Sequence, residues 1–472
     1  MSDTRDALRQ RHGPNYRWWV LLTVMIGTVA SIMSATIVNV AVPDMSRVFA
    51  LGQERAQWMS AGFMAAMTVS MLTTPWLLDR FGYRSTYVAV VLLLMAGGIG
   101  GGLGSSFEWV LAMRVAEGLA AGVLQPIPGI IIMHAFDRSE QGKAISFFGM
   151  GVVLAPAVGP SVGGVLVEAF GWRSIFFVVV PFCLAAVVLA RRFLPHSAPG
   201  GVPVNHEGRR LDLVGLGLMS LAILSLLNGM VHLHDADRRF GLSLLALSAL
   251  ALAVLVLHQR RTPHPLLRLA LFRHPQFAFG GCVAFAYGAA LFASTYLVPV
   301  FMQSALHFPP SQAGIALMPA GLVLAGAIPV GGRLADRFPA WSLVAVGLAL
   351  LAVSFALMGT VTTGTVLWVL MLWAIIGRIG LGFVLPSLTL GAMPGLGADA
   401  VPQAASVISF LRQLGGATGV GLVGIFLEWR LRVQAAAGGT AEAGFSDTFW
   451  LVAALTALAL VAALRMRVPR AA

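Results

Sequence analysis

Apolar residues in this chain come in long, nearly unbroken runs rather than the one-sided stripes of a surface helix. Fourteen runs stand out, at about 18–41, 56–78, 86–105, 109–133, 144–168, 173–192, 211–231, 241–257, 276–302, 312–332, 341–360, 365–390, 403–427 and 447–464. A helix rising 1.5 Å per residue needs about 20 residues to cross a hydrocarbon core, and these runs have that scale. Within lipid the backbone must satisfy its own hydrogen bonds, so the chain is either a helical bundle or a closed barrel. Barrel strands alternate apolar and polar residues over about ten positions, and these runs do not. The pattern predicts an all-α, polytopic membrane protein with fourteen spans.

Composition agrees. The 472 residues are 58% hydrophobic and 11% charged, with mean hydropathy +0.85, against about 25% charged for a soluble domain. The net charge of +12 would suit nucleic acid, but the basic residues sit in short loops between apolar runs. Loops on one side carry about three times as many Arg and Lys as those on the other. That bias places the richer side, with both termini, in the cytoplasm and predicts a multi-pass protein of a bacterial cytoplasmic (inner) membrane, with no nucleic-acid partner. Cys183 and Cys282 lie within apolar runs and read as core fillers.

Three arginines, Arg114, Arg378 and Arg412, fall inside spans, with Glu117 the one carboxylate placed deep in a span. A charge at bilayer depth costs roughly 2.5–3.5 kcal/mol and is turned toward a protein interior or wet cavity. Arg114 and Glu117, three apart, share a helix face. Burial raises a carboxylate's affinity for a proton and a guanidinium lowers it, so a changing distance between them would take up and release a proton. The plainer reading is a permanent ion pair. Arg412 could also snorkel toward the cytoplasm. If Arg378 and Arg412 both face a cavity, three arginines against one glutamate suit neutral or anionic lipophiles better than cations.

The chain repeats itself. Asp79-Arg80-Phe81-Gly82 after the second span is echoed by Asp336-Arg337-Phe338 after the tenth, and Arg114 in the fourth by Arg378 in the twelfth. Gly159-Pro160 and Gly163-Gly164 in the fifth are echoed by Gly415-Gly416 in the thirteenth. Two six-span halves follow, giving a tail 1–17, a bundle 18–192, linkers with an inserted pair at 193–275, a bundle 276–464 and a tail 465–472. Pro156 and Pro160 each deny a backbone hydrogen bond, so span five is expected to bend, and its glycines to let a neighbour approach.

These residues resemble the major facilitator superfamily, in particular its fourteen-span drug:proton antiporters of the EmrB/QacA type. Asp79-Arg80-Phe81-Gly82-Tyr83-Arg84 matches the loop motif between spans two and three, with Pro75 where a glycine is usual. Arg114 to Gly118 matches the span-four motif, with Glu117 where glutamine is usual. Gly151, Pro156, Gly159-Pro160 and Gly163-Gly164 look like the span-five antiporter motif, and Thr36 to Pro43 like the span-one signature. Tyr296-Leu297-Val298-Pro299, Gln303 and Gln312-Ala313-Gly314 also match. The resemblance implies a proton-coupled exporter of drugs or other amphipathic small molecules working by alternating access, with the proton as coupling ion and no other cofactor. In a two-membrane host it also implies a periplasmic adaptor and an outer-membrane channel as partners.

One departure matters: the signature usually has an acid where this chain has Ser34. The missing acid and the unexpected Glu117 suggest that the protonatable group has moved from span one to span four. A gating role is expected for Asp79, Arg80, Gly82, Arg84, Asp336 and Arg337, and a hinge at Pro156, Gly159, Pro160, Gly163 and Gly164. Cavity candidates are Ser34, Asn39, Gln125, Tyr287, Tyr296, Gln303, Trp373, Arg378 and Arg412. No phosphate loop, HExxH or Cys/His ligand spacing occurs, so an enzyme or metal site is not expected. A transporter of one metabolite, or a lipid-handling flippase, would share the scaffold.

Overall fold

Each of the fourteen apolar runs lies on a helix. The computed structural model describes residues 10, 12–13, 15–51, 53–197, 210–233, 238–306, 308, 310–362 and 365–467. In chain order the helices are α1 Tyr16–Val48, α2 Gln53–Ser70, α3 Thr74–Phe81, α4 Tyr83–Leu103, α5 Phe107–Leu124, α6 Ile127–Ala135, α7 Arg138–Phe170, α8 Ser174–Phe177, α9 Val179–Phe193, α10 Leu213–His232, α11 Arg238–Arg261, α12 Pro275–Ser304, α13 Pro310–Ala335, α14 Ala340–Met358, α15 Leu367–Ala392, α16 Val401–Ala436 and α17 Ala441–Arg465. Among the described residues there is no strand, and thirteen helices are long and apolar enough to cross a membrane. The fifth run lies on α7, whose 33 residues extend roughly 50 Å.

Three spans are built from more than one helix. Span two passes from α2 through a 3-10 turn at Met71–Thr73 into α3, with Pro75 in its first turn. Span four breaks between α5 and α6 at Pro126 and Pro128, which lack the N–H that would continue the ladder. Span six is α8 followed by α9. Span five, α7, contains Pro156 and Pro160 yet runs unbroken from Arg138 to Phe170; the two prolines do not end it.

Helix ends follow local chemistry. Ser106 caps α5 by accepting from the Trp109 backbone N–H at 3.3 Å, with Glu108 in the first turn, where the helix dipole favours an acid. Gly82 joins α3 to α4 at φ +78°, a conformation essentially reserved for glycine.

By contacts between Cα atoms the chain forms two compact units. Unit 1 comprises Met1–Ser220, Gln259–Arg268 and Leu396–Val407; unit 2 comprises Leu221–His258, Leu269–Gly395 and Ile408–Ala472. In unit 1, span two packs on span four, span three on spans four and six, and span one on span six. In unit 2 the same pairings recur eight spans later: ten on twelve, eleven on twelve and fourteen, nine on fourteen. The sequence echoes thus correspond to equivalent neighbours.

The inserted helices differ from the rest. Residues Leu250 and Leu257 of α11 are 61% and 55% exposed, as expected of a helix whose apolar side chains meet lipid rather than protein. The segment Pro265–Leu269, whose sequence also suits the membrane interface, is held by polar side chains. Asp212 Oδ2 accepts from Gln259 Nε2 at 2.7 Å and from the Leu266 N–H at 3.3 Å. Gln403 Nε2 donates to the Leu266 carbonyl at 2.8 Å, and Leu266 is buried. Cys183 is buried, but Cys282 is exposed and does not fill a core.

Candidate functional site

The site in unit 1 begins with the approach of α5 to α2. A side chain at Gly118 or Gly122 would strike the carbonyls of Phe63 or Met67 on α2, so their absence lets the two backbones meet, as small residues four apart do in membrane bundles. One turn before Gly118, Arg114 is then carried against α2. Its Nε donates to the Met59 carbonyl at 3.2 Å, and its guanidinium carbon lies 4.3 Å from the centre of the Phe63 ring.

Arg114 Nη1 donates to Glu117 Oε2 at 2.7 Å. The same nitrogen donates to Ser34 Oγ at 2.8 Å, and Ser34 donates on to Glu117 Oε1 at 3.1 Å. Arg114 and Glu117 are each 1% exposed and Ser34 3%. The position where the span-one signature usually carries an acid is therefore in direct contact with the span-four carboxylate. Glycines from α4 complete the seat: a methyl group on Gly97 would come within 2.6 Å of Glu117 Cγ.

This arrangement tolerates a proton at Glu117. When the carboxylate is ionised, both oxygens accept charge-assisted hydrogen bonds. When it is protonated, Arg114 still has the Met59 carbonyl, the Ser34 oxygen and the electron-rich face of Phe63. The guanidinium is thus supported by groups that do not titrate, so the carboxyl can change state without leaving a wholly unsupported cation. Arg114 Nη2 has no partner among the described residues.

The remaining candidates separate into those with defined contacts and those without. Gly82 is buried, and a side chain there would meet the His196 carbonyl at 2.6 Å. The Tyr83 N–H donates to the same carbonyl at 2.9 Å, and Arg84 Nε to the Leu194 carbonyl at 2.6 Å. The loop motif is therefore fastened to the chain leaving span six. Asp79 is half-buried and Arg80 exposed; Asp336 is half-buried and Arg337 exposed. In span five, Gly159 and Gly163 face span one, where a side chain would meet Thr36 Oγ1 at 2.8 Å or Ile37 Cγ1 at 2.6 Å. Gly164 has open space beside it, so close packing does not require it, and Pro156 is exposed. Pro160 lies within α7, but its side chain is outside the described set.

Asn39 is exposed and accepts from Ser60 Oγ at 2.7 Å. Gln125 is half-buried at the end of α5. Tyr296 is 39% exposed and Gln303 is exposed as well. Trp373 is half-buried, and its carbonyl accepts from Ser354 Oγ at 2.6 Å.

In unit 2, Tyr287 is 3% exposed on α12, which packs on the helix of Arg378 and meets the backbone of α16 at Arg412. Arg378 lines a small recess with Ser294, Ser354, Phe355 and Met358. Sequence reasoning did not select Met59, Phe63 or Gly97 for the unit 1 site. The usable signal was the glycine density from Gly97 to Gly104, which marks a helix face built for close approach; no pattern in α2 distinguished Met59 or Phe63 from other apolar residues.

Comparison with known proteins places this geometry in context. The family model described as Major Facilitator Superfamily matches residues 24–420. The chain is 29% identical over 423 residues to the multidrug resistance protein B homolog of Mycobacterium tuberculosis (strain ATCC 25618 / H37Rv), covering 87% of this chain and 77% of the relative. It is 28% identical over 418 residues to the tetracenomycin C resistance and export protein of Streptomyces glaucescens, covering 88% and 76%. Among solved structures, the proton:xylose symporter XylE superposes with TM-score 0.66 at 14% identity, covering 95% of each chain. The protein belongs to the Major Facilitator Superfamily, and it is a membrane transporter rather than an enzyme.

Proposed function

We propose that the chain is a proton-coupled exporter of amphipathic small molecules, of the fourteen-span drug:proton antiporter type, working by alternating access. The observation that carries this reading is the buried Arg114–Glu117–Ser34 cluster, in which a carboxyl within a span is paired with a guanidinium and a hydroxyl. The names of the relatives, resistance and export proteins, support the direction of transport. In this reading Glu117 takes a proton in the outward-facing state, which weakens its bond to Arg114, and releases it inward when the pair re-forms. One charge falling through ~150 mV yields about 3.5 kcal/mol, enough for a gradient of a few hundredfold.

The other assignments follow the same reading. The protein sits in a bacterial inner membrane with both termini cytoplasmic, as the arginine bias supports. Asp79, Arg80, Gly82 and Arg84, with Asp336 and Arg337, form the gating motifs; Gly159 and Gly163 form the seal of span five against span one. The proton is the coupling ion, and in a two-membrane host the partners are a periplasmic adaptor and an outer-membrane channel.

The decisive experiment is export of an amphipathic dye from proteoliposomes with an imposed pH gradient. Glu117→Gln keeps the shape and an oxygen that accepts from Arg114, with its amide N–H turned to donate to Ser34 Oγ, but cannot ionise. It is expected to bind dye normally and to lose gradient-driven accumulation. Accumulation at the wild-type rate would remove Glu117 from the coupling step.

A further inference from the structure

Arg378 and Arg412 pose a question that Arg114 does not. Each is the twelfth residue of its helix, α15 or α16, roughly 17 Å along it and so well inside a membrane span. Among the described residues neither forms an ion pair or a side-chain hydrogen bond. No carboxylate lies on α15, or on α12, which carries Tyr287. The only one on α16, Glu428, is sixteen residues further, roughly 24 Å along the helix, and is paired with Arg432.

The packing holds these groups near one another. A side chain on Gly288 would strike the Arg412 carbonyl, so α12 and α16 touch backbone to backbone one residue from Tyr287. Span nine also packs on span twelve, which carries Arg378. The Tyr287 hydroxyl makes no hydrogen bond among the described residues, although the residue is only 3% exposed. Beside Arg378 the recess is walled by Val298, Leu351, Phe355 and Met358. Two cations and a phenol with unused hydrogen-bonding capacity, one of the cations lining an apolar recess, complement a particular chemistry.

We infer that Arg378, Arg412 and Tyr287 bind the anionic group of an organic acid, a carboxylate or sulfonate on an apolar body, within unit 2. This rests on the reading of the chain as an exporter of amphipaths and names the charge class of its substrate. Unpaired intramembrane charge is costly, and a bound anion offsets that cost by supplying charge-assisted bonds to both guanidiniums. The phenol adds a neutral donor. A lipophilic cation meets two positive charges there and is rejected, which is selectivity by repulsion as much as by attraction.

The test is equilibrium dialysis of the purified full-length protein against three labelled probes sharing one apolar body: 2-naphthoate, its neutral methyl ester and a naphthyl trimethylammonium. Naphthoate is expected to bind at least tenfold more tightly than the other two. Arg378→Met and Arg412→Met should each weaken naphthoate binding at least tenfold while leaving the ester unchanged, and the Lys variants should retain part of the preference. Equal binding of the three probes to wild-type protein overturns the inference even if the variants fail to fold. Displacement of naphthoate by physiological chloride overturns it too, by assigning the site to an inorganic anion. Binding at equilibrium needs no gradient, so it is read independently of proton coupling. Failure of the proton-coupling role and failure of the anion site are therefore distinguishable.

Discussion

Arg114 in span four and Arg378 in span twelve occupy echoed positions of the repeat, yet the protein treats them differently. Around Arg114 the chain supplies a carboxylate, a hydroxyl, a carbonyl and a ring face, all buried. Around Arg378 it supplies a small recess walled by Val298, Leu351, Phe355 and Met358, and no carboxylate on its own helix. The first site is electrically closed; the second leaves its charge unbalanced within the protein. A closed pair can do work only through a change that opens it, and protonation of Glu117 is the available one. An unbalanced site can do work by accepting a charged ligand. The repeat thus supplies one scaffold position for two tasks.

Perturbing the closed site should give the largest effect. Arg114→Met leaves Glu117 buried without its cation, and breaking a buried pair from one side costs about 3–5 kcal/mol. Thermal unfolding of the purified protein should show the loss. The double replacement Arg114→Met, Glu117→Leu should recover most of that stability, since an apolar pair of similar volume is often neutral or better than a buried ion pair. Transport would nonetheless stay uncoupled from the pH gradient. If the double variant is no more stable than the single, the cost did not come from an orphaned carboxylate.

Smaller effects test the supports. Gly97→Val forces a side chain toward Glu117 Cγ, where even a Cβ would sit at 2.6 Å. Overpacking of this kind costs about 1–3 kcal/mol, and the shifted carboxylate should slow proton-driven export beyond the loss of stability. Gly82→Ala places a side chain at φ +78°, with ψ 168°, a region essentially limited to glycine, at about 1–3 kcal/mol. Its effect should appear in unfolding and spare equilibrium binding of substrate. The smallest change is expected at the open site. Arg378→Met removes a charge that nothing among the described residues pairs, so stability should move by less than about 0.5 kcal/mol or rise. A loss as large as that of Arg114→Met would mean that the two sites are not different in kind.

Much of the fold is legible in the residue order because lipid imposes a simple rule. Runs such as 86–105 and 341–360 need only be apolar and long enough, and each falls on a helix. The break of span four at Pro126 is equally local, since it depends on a missing N–H,. The bend expected from Pro156 and Pro160 does not take the form of a helix end, since α7 continues past both prolines. That Asp212 and Gln403, far away in sequence, supply bonding partners to Leu266 was not legible in the residue order.

The candidate site divides in the same way. Arg114 and Glu117 are conspicuous in sequence because charge is rare at bilayer depth, and their spacing of three fixes a shared face on any helix. Nothing local predicts that Ser34, eighty residues earlier, bridges the two side chains, or that Phe63 lies beneath the guanidinium. Those contacts depend on how closely α1, α2, α4 and α5 approach, and the glycines at 97, 118 and 122 set the approaches of α4 and α2 to α5.

The sequence by itself determined that this protein is a bundle of membrane-crossing helices, that it is built twice over, and where charge enters the apolar interior. These are matters of composition, period and spacing, which each segment carries alone. Only the tertiary structure decided which of those charges is neutralised by the chain and which is left for something else. Compensation depends on distances of about 3 Å between residues far apart in the chain, and such distances exist only once the helices have packed.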